Sequence, residues 1–202
     1  GEIFVVHLLY KQTSGAILFA KDAETHRSLS VQFQTRNVRK LYHAIVGGVL
    51  ERDEMEIDIP IEPDPARKGL MRPSVHGKKS LTIITVVKRF RMATLLSCEL
   101  VTGRTHQIRV RCATIGHPLL VDADYGTSDG FYVSSIKRRY NLARNTEERP
   151  LISRLTLHSA RLEFTHPFTQ EPLALEAPYP KDFSATLRVL DKYCSVSETY
   201  RR

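Results

Sequence analysis

Short apolar segments separated by turns make up most of the chain. They are rich in β-branched and aliphatic residues, which is typical of strands. They lie at residues 16–20, 41–47, 55–59, 81–87, 93–101, 155–164 and 173–176. Residues 155–164 partly alternate between apolar and polar side chains, as expected of a sheet with one solvated face. The pattern predicts a mostly antiparallel sheet.

Three segments show helical periodicity. Asp22 is a suitable cap for a helix that runs to about residue 36. Thr105 is a suitable cap for a second helix, with Gly116 as its stop, and Pro180 precedes a third. The apolar positions on the three predicted faces are Leu29 and Phe33, then Ile108, Cys112 and Ile115, then Phe183, Leu187 and Leu190. Few helices on a large sheet predict the α+β class.

Two polar stretches interrupt the pattern and are predicted to be long loops. Residues 63–79 contain three Pro, two Gly and five Lys or Arg with little apolar periodicity. Residues 126–150 include the basic positions Lys137, Arg138, Arg139 and Arg144. Loops of this length are unusual unless they bind a ligand, so both are candidate contact surfaces.

Composition places the chain among globular proteins with a polyanionic partner. Its 202 residues are 42% apolar and carry a net charge of +8 with a pI near 9.5, which favours RNA, DNA or anionic lipid. One domain over residues 1–202 is predicted. The sequence has no apolar run of about 20 residues and no secretory signal. We therefore expect no membrane partner and a cytoplasmic location, with an organelle left open.

The cysteines do not suggest a disulfide framework or a zinc site. Cys98, Cys112 and Cys194 are odd in number, far apart and set in apolar surroundings. We interpret them as core thiols in a reducing compartment.

Four separated motifs carry the most specific signal in the chain. They are "TSG" at residues 13–15, "KLYHAIVGG" at 40–48, "LVTGRTHQIRVRCATIGHPLLVDADYG" at 100–126 and "LHSARLEFTHPFTQEPLALEAPYPKDF" at 157–183. In this order the motifs resemble those of the RluA-type pseudouridine synthases. The resemblance covers almost the whole chain, and one or two upstream strands of the family are expected to be absent.

The resemblance implies a large mixed sheet with a central RNA-binding cleft and an enzyme that isomerises uridine in RNA to pseudouridine. It implies no cofactor and no metal. The expected partner is structured RNA, either rRNA or tRNA, and the expected state is a monomer. Such chemistry requires the target nucleotide to leave its helix and enter a pocket.

The first family motif departs from the pattern at two positions. The family reads His-Arg-Leu-Asp, two further residues, then Thr-Ser-Gly, and its Asp starts the chemistry. Here Leu8 stands at the Arg position and Tyr10 at the Asp position. An ordinary Tyr phenol has a pKa near 10, so ionising it at pH 7 costs about 4 kcal/mol. Tyr10 is predicted to fill the pocket rather than work in it.

The other site positions match the family. The resemblance assigns Tyr42 to packing on the base and Arg109 to pairing with the catalytic acid, with Ile108 as an apolar wall. Thr13, Gly15 and Gly103 are expected to shape the pocket. The predicted RNA-binding residues are Leu8, Arg104, His106, Arg111, Lys78 and Lys79. Four basic residues crowd a strand end and the following helix start, where anions bind readily, namely Arg104, His106, Arg109 and Arg111.

Arg109 needs a new partner if no acid stands at position 10, because an unpaired buried charge is costly. Three partners are open: the Tyr10 hydroxyl, another carboxylate such as Glu99, or a bound anion. Asp122 and Asp124 are the alternative sources of an acid for the chemistry.

Three functions follow from these residues. The leading hypothesis is an RNA-binding relative of the pseudouridine synthases with impaired or lost isomerisation. The second is an active synthase that uses the Tyr10 hydroxyl, and the third is a protein-interaction scaffold without an RNA role.

Overall fold

The fold is a mixed, mostly antiparallel sheet with three helices, as the α+β prediction requires. The structure is a computed structural model that describes residues 1–137, 140–141 and 146–196. The predicted basic positions Arg138, Arg139 and Arg144 lie outside the described residues.

Eleven strands and three α-helices are present in this part of the chain. The strands are β1 Phe4–Val5, β2 Ser14–Gly15, β3 Phe19–Ala20, β4 Arg39–Gly47, β5 Glu54–Asp58, β6 Ile61–Pro63, β7 Met71–Pro73, β8 Leu81–Arg89, β9 Ala93–Leu100, β10 Leu157–Thr165 and β11 Pro172–Glu176. The helices are α1 Ala23–Gln34, α2 Gln107–Thr114 and α3 Lys181–Cys194, with a 3₁₀ turn at Val133–Ser135.

One sheet of seven strands organises the molecule. Its path runs β11, β10, β4, β9, β8 and β5, all antiparallel, and β2 adds to β10 in parallel. Ala44 and Val46 of β4 join one hydrophobic cluster, whereas Ile45 between them joins another. Because side chains alternate across a strand, these two clusters lie on opposite faces of the sheet.

The helices cover those faces through the residues that the periodicity indicated. Ile108 and Cys112 of α2 pack in the cluster of Ala44 and Val46. Phe183 and Leu190 of α3 pack in the cluster of Ile45. In a third cluster, Leu29 and Phe33 of α1 pack with residues of β10. All three cysteines are buried and unpaired, as predicted.

The helix ends agree with the sequence in part. The Asp22 carboxylate accepts the Thr25 N–H and caps α1, as predicted. Gly116 adopts a φ of +80° directly after α2, which is the left-handed conformation expected of a helix stop. The Thr105 cap is wrong, because the N-cap residue is His106 with a φ of 55° and no side-chain cap bond.

Two predicted segments differ from the structure. Residues 63–79 are not a single loop, since β6 and β7 form an antiparallel pair with Ile61 opposite Pro73. The predicted strand at 16–20 is reduced to β3, which pairs with β1, while most of the segment between them is loop. In both regions short strands pair through backbone hydrogen bonds, and Ile61 and Ala20 are buried there.

Candidate active site

A pocket of about 440 Å³ lies where the loop of residues 7–13 faces the start of α2. It brings together most of the predicted site residues, namely Leu8, Tyr10, Thr13, Tyr42, Gly103, Arg104, His106, Ile108 and Arg109. Phe33, Leu100 and Leu157 complete an apolar wall. The volume falls within the range of about 300–1,000 Å³ that is usual for small-molecule sites.

The loop is fixed to the sheet just after the pocket residues. Gly15 has a φ of +125°, and a Cβ at this position would lie 2.2 Å from the Ser159 carbonyl oxygen. Only glycine allows β2 to approach β10 so closely. The Ser14 hydroxyl is 2.9 Å from Nδ1 of His158, and Nε2 of the same ring is 3.0 Å from the Ala177 carbonyl.

Both His158 bonds are satisfied by one tautomer. The carbonyl of Ala177 can only accept, so Nε2 donates to it and Nδ1 accepts the Ser14 hydroxyl proton. Burial lowers the pKa of His158 and keeps this ring neutral. Gly15 is not among the residues that line the pocket. Its contribution is the close approach of β2 to β10, which positions the loop.

Tyr10 lies over the basic side of the pocket. Its ring centre is 5.2 Å from the guanidinium carbon of Arg109 and 4.2 Å from the ring centre of His106, with the two rings perpendicular. The Tyr10 side chain is partly open to solvent, with 47% of the residue exposed, and Leu8 beside it is 78% exposed. These two residues form the rim of the pocket, so Tyr10 does not fill its interior, which differs from the prediction.

Arg109 pairs with carboxylates other than one at position 10, which is the second of the three partners that the sequence left open. Its Nε and Nη2 donate to the two Asp122 oxygens at 2.8 and 2.7 Å, and Nη2 also donates to Asp124 at 2.6 Å. Burial opposes the charge, but these bonds raise the pKa of Arg109 above its ordinary value. Burial likewise works against the Asp122 anion, yet Arg109 and two backbone N–H groups hold its pKa below the ordinary value.

The prediction of Glu99 as the partner of Arg109 is wrong. Glu99 forms a bidentate pair with Arg39 at 2.9 and 2.7 Å. The two residues lie on neighbouring strands, since Leu41 of β4 pairs with Glu99 of β9. The register of the sheet, rather than closeness in sequence to the motif, decides this pairing.

Tyr42 projects from β4 into the pocket and packs against the cluster that contains Ile108. Burial raises the pKa of its hydroxyl, so Tyr42 remains neutral. Lys40 stands two residues earlier on the same strand and also lines the pocket. Sequence reasoning did not select Lys40, because it lies one residue before the strand predicted at 41–47. In the structure β4 begins at Arg39, and the two-residue spacing places both side chains on one face.

The predicted RNA-binding residues separate into three groups. Leu8, Arg104 and His106 line the pocket. Lys78 and Lys79 are exposed outside it, and Arg104 donates from Nε to the Lys79 carbonyl at 3.2 Å. The assignment of Arg111 to RNA contact is wrong, because its side chain is fully buried and donates to the Ser80 carbonyl at 2.6 Å.

Helix geometry explains the Arg111 correction. Two residues along an α-helix correspond to a rotation of about 200°, so Arg111 faces away from the side that Arg109 presents to the pocket. Burial lowers the pKa of Arg111. The basic run in this motif therefore mixes pocket residues with a residue of the interior.

Tyr125 joins the β6–β7 hairpin to the pocket and was also missed by sequence reasoning. Its hydroxyl accepts the Met71 N–H at 2.7 Å and lies 2.7 Å from Nδ1 of His106. Its ring centre is 4.7 Å from the guanidinium carbon of Arg109. The arrangement depends on the turn after Asp122, which residue spacing alone does not reveal.

Within the described residues, no cluster of three or more His, Cys, Asp or Glu side chains has the arrangement of a metal site. The helices of this part of the chain are all too short or too polar to cross a bilayer.

Known proteins are similar to this chain in both sequence and fold. The family described as RNA pseudouridylate synthase matches residues 1–114. Ribosomal large subunit pseudouridine synthase D of Nitrosomonas europaea is 37% identical over 188 residues, which are 92% of this chain and 51% of that protein. The chain belongs to the RluA-type pseudouridine synthase family.

Other family members agree with this assignment. Ribosomal large subunit pseudouridine synthase C of Salmonella typhi is 37% identical over 92% of this chain and 56% of its own length. The chain thus spans about half the length of these curated relatives. The solved structure of Human RNA Pseudouridylate Synthase Domain Containing 1 has a TM-score of 0.72 and 27% identity, over 96% of this chain and 74% of that one.

Proposed function

We propose that this protein binds structured RNA through the family's cleft and is impaired or inactive in uridine isomerisation. One observation carries the proposal. Among the described residues that line the pocket there is no Asp or Glu, and Tyr10 stands where the family motif has its aspartate. The family's chemistry begins with that carboxylate, so this pocket lacks the group that starts the reaction.

The two acids near Arg109 do not replace it. Asp122 is 1% exposed, and both its carboxylate oxygens accept hydrogen bonds from Arg109. Asp124 lines a separate cleft beside Arg67 and Met71 rather than the Tyr10 pocket. Proton transfer or nucleophilic attack requires hydrogen-bond reach to the reacting atom, and neither carboxylate lines the cavity where a nucleotide would sit.

Affinity for RNA has a separate basis and survives the loss of the acid. Lys11, Lys40 and Arg104 line the pocket, and Lys78 and Lys79 extend the positive surface next to Arg104. With a net charge of +8, this surface suits phosphate backbones. We infer an rRNA or tRNA partner and a cytoplasmic location. The curated relatives are named for the large ribosomal subunit, which favours rRNA.

The proposal is tested by restoring the family residues. The unmodified protein and the Leu8→Arg, Tyr10→Asp double variant are incubated with ribosomal RNA transcripts, and pseudouridine is measured after nuclease digestion. Binding of the same transcripts is measured in parallel. We expect RNA binding by both proteins and pseudouridine only with the double variant. Pseudouridine formation by the unmodified protein contradicts the loss of activity.

An inactive double variant is also an interpretable result. If it binds RNA and remains inactive, the two substitutions are not sufficient for chemistry, and the result for the unmodified protein alone decides its activity. If neither protein binds RNA more tightly than a charge-matched polyanion such as heparin, the RNA-binding function is wrong.

A further inference from the structure

Unpartnered polar atoms are concentrated in the pocket. Among the described residues, nine buried side-chain nitrogen or oxygen atoms have no hydrogen-bond partner. Five of these atoms belong to pocket residues: both ring nitrogens of His7, Oγ1 of Thr13, Nε2 of His106 and Nη1 of Arg109. Leaving a buried polar atom without a partner is unfavourable, so a cluster of such atoms calls for an explanation, and a bound ligand is one.

His106 contributes a hydrogen-bond donor to this cluster. Tyr125 Oη already accepts the Met71 N–H, and the acceptor within reach of its own proton is Nδ1 of His106. Burial, and then the charge of Arg109, lowers the pKa of His106 and keeps the ring neutral. The network therefore assigns the ring proton to Nε2, which is buried and has no partner among the described residues.

Lys40 contributes a positive charge that no carboxylate balances in the described part of the chain. None of the ion pairs among the described residues includes Lys40. Its side chain lines the pocket. Gly103 makes room for the ammonium, because a Cβ there would lie 3.1 Å from Nζ of Lys40. Burial, and then nearby Arg36, lowers the pKa of this amine, which an incoming anion would reverse.

The chemistry of these groups selects the ligand. Arg109 Nη1, His106 Nε2 and Lys40 donate hydrogen bonds and cannot accept them. Uracil and ribose carry N–H and O–H donors that need acceptors, and the described pocket side chains offer them only neutral acceptors such as Thr13 Oγ1 and a ring nitrogen of His7, with no carboxylate. A phosphomonoester group carries acceptor oxygens and up to two negative charges, so it matches the two unpartnered donors of Arg109 and His106 and the unbalanced charge of Lys40.

We propose that the pocket binds a nucleotide carrying a terminal phosphomonoester, with the phosphate at Lys40 and His106. The half-exposed Tyr10 ring at the rim offers a stacking surface for the base. Two sources share this chemistry: a free nucleoside monophosphate and the phosphorylated end of an RNA. The inference rests on the proposed function, because a pocket that still isomerised internal uridines would need to accept chain-internal nucleotides.

Calorimetric titration of the protein with UMP and with uridine tests the phosphate requirement. We expect uridine to bind at least about tenfold more weakly than UMP, because a charge-assisted contact is lost. The Lys40→Met substitution is expected to weaken UMP binding about tenfold and to leave uridine binding unchanged. Lys181→Met removes the same charge at the exposed start of α3, outside the pocket, and is expected to change neither affinity.

Lys11→Met provides a second pocket variant. Lys11 is exposed on the rim, so its replacement leaves the core intact even if Lys40→Met does not fold. We expect a smaller loss of UMP affinity for this variant than for Lys40→Met. Equal binding of UMP and uridine, or equal losses for Lys40→Met and Lys181→Met, overturns the proposal.

A structured RNA with a 5′-phosphate or a 5′-hydroxyl group distinguishes the two sources. Tighter binding of the phosphorylated RNA identifies an RNA end as the ligand. Selective UMP binding without RNA binding identifies a free nucleotide, and it contradicts the proposed RNA function while the phosphate site stands. Equal binding of both RNAs together with no preference for UMP refutes the phosphate site and leaves RNA binding intact.

Discussion

The guanidinium carbon of Arg109 lies 5.2 Å from the centre of the Tyr10 ring, so the cation meets an aromatic face where the family motif supplies an acid. The Tyr125 ring also packs on this guanidinium, at 4.7 Å. The charge itself is balanced by Asp122 and Asp124. The fold therefore keeps a buried arginine at this site without an acid at position 10.

Asp122 and Asp124 both pair with Arg109, but substitutions of the two are expected to lower the free energy of unfolding by different amounts. Both side chains of the Arg109–Asp122 pair are almost fully buried, at 3% and 0% exposure, whereas Asp124 is 47% exposed. Asp122→Ala is expected to lower the free energy of unfolding by about 3–5 kcal/mol, because it leaves a buried cation short of its main partner. Asp124→Ala is expected to cost about 1 kcal/mol or less.

Urea unfolding of the two variants measures this difference. Equal costs would show that Arg109 does not depend on Asp122 and would contradict the assignment of its counterion.

Gly15 is predicted to be irreplaceable for a structural reason. Gly15→Ala combines a φ of +125° with a Cβ 2.2 Å from the Ser159 oxygen, and we expect a loss of about 3 kcal/mol or more, or no folded protein. Gly69→Ala is the matched control, since its φ is +84° and its Cβ would meet nothing within 4 Å. That control is expected to lower the free energy of unfolding by about 1–2 kcal/mol. Thermal unfolding compares them, and similar costs would refute the close packing of β2 on β10.

Stability is predicted to fall in mild acid. Burial lowers the pKa of His158, so the folded state binds this proton less readily than the unfolded chain does. The neutral His158 ring leaves the folded state at full stability above the ordinary pKa of 6.5. This stability is lost as the pH falls through the lowered pKa, because the buried ring must then be protonated. The pKa values of His7, His43 and His106 are lowered by burial in the same direction.

Urea midpoints at about pH 7.5 and about pH 5 test this linkage. His158→Gln is expected to reduce the difference between the two midpoints, whereas a substitution of the exposed His76 by Gln leaves it unchanged. A protein equally stable at both pH values would contradict neutral burial of these rings.

Tyr125→Phe is predicted to loosen the β6–β7 hairpin without unfolding the sheet. The variant removes the hydroxyl that accepts the Met71 N–H, a bond worth about 1 kcal/mol, and it also frees Nδ1 of His106. Hydrogen exchange at the Met71 amide is expected to become several-fold faster, while amides of β4 and β9 keep their rates. Unchanged exchange at Met71 would contradict the link between hairpin and pocket.

Local signals predicted the elements that depend on local chemistry. The Asp22 cap and the Gly116 stop follow from side-chain and φ requirements within one turn of helix. The central strands β4 and β9 follow from runs of buried aliphatic residues. The β6–β7 hairpin was missed because Pro63 and Pro73 and the basic residues between them read as a loop.

The site was predictable in its members and less so in its contacts. Motif order placed Tyr10, Tyr42 and Arg109 in one pocket, where the structure also finds them. The counterion of Arg109 depends on a turn that brings Asp122 back from thirteen residues away, and Arg111 is buried by the rotation of α2. Such contacts arise from the packing of distant segments, which periodicity does not encode.

The Tyr10 hydroxyl decides between the two enzymatic interpretations. If the protein isomerised uridine through this oxygen, Tyr10→Phe would abolish pseudouridine formation while preserving the ring contacts with Arg109 and His106. We expect no pseudouridine from either protein and equal RNA binding, since the ring rather than the hydroxyl makes these contacts. Activity in the unmodified protein that Tyr10→Phe removes would support a tyrosine-based mechanism.

The most direct test of the central claim is a single-turnover assay with the unmodified protein in excess over ribosomal RNA, followed by quantification of pseudouridine. The excess makes even slow chemistry detectable, because every RNA molecule is bound throughout. The account predicts a pseudouridine level equal to that of RNA incubated without protein. Pseudouridine that increases with time and with protein concentration would contradict it.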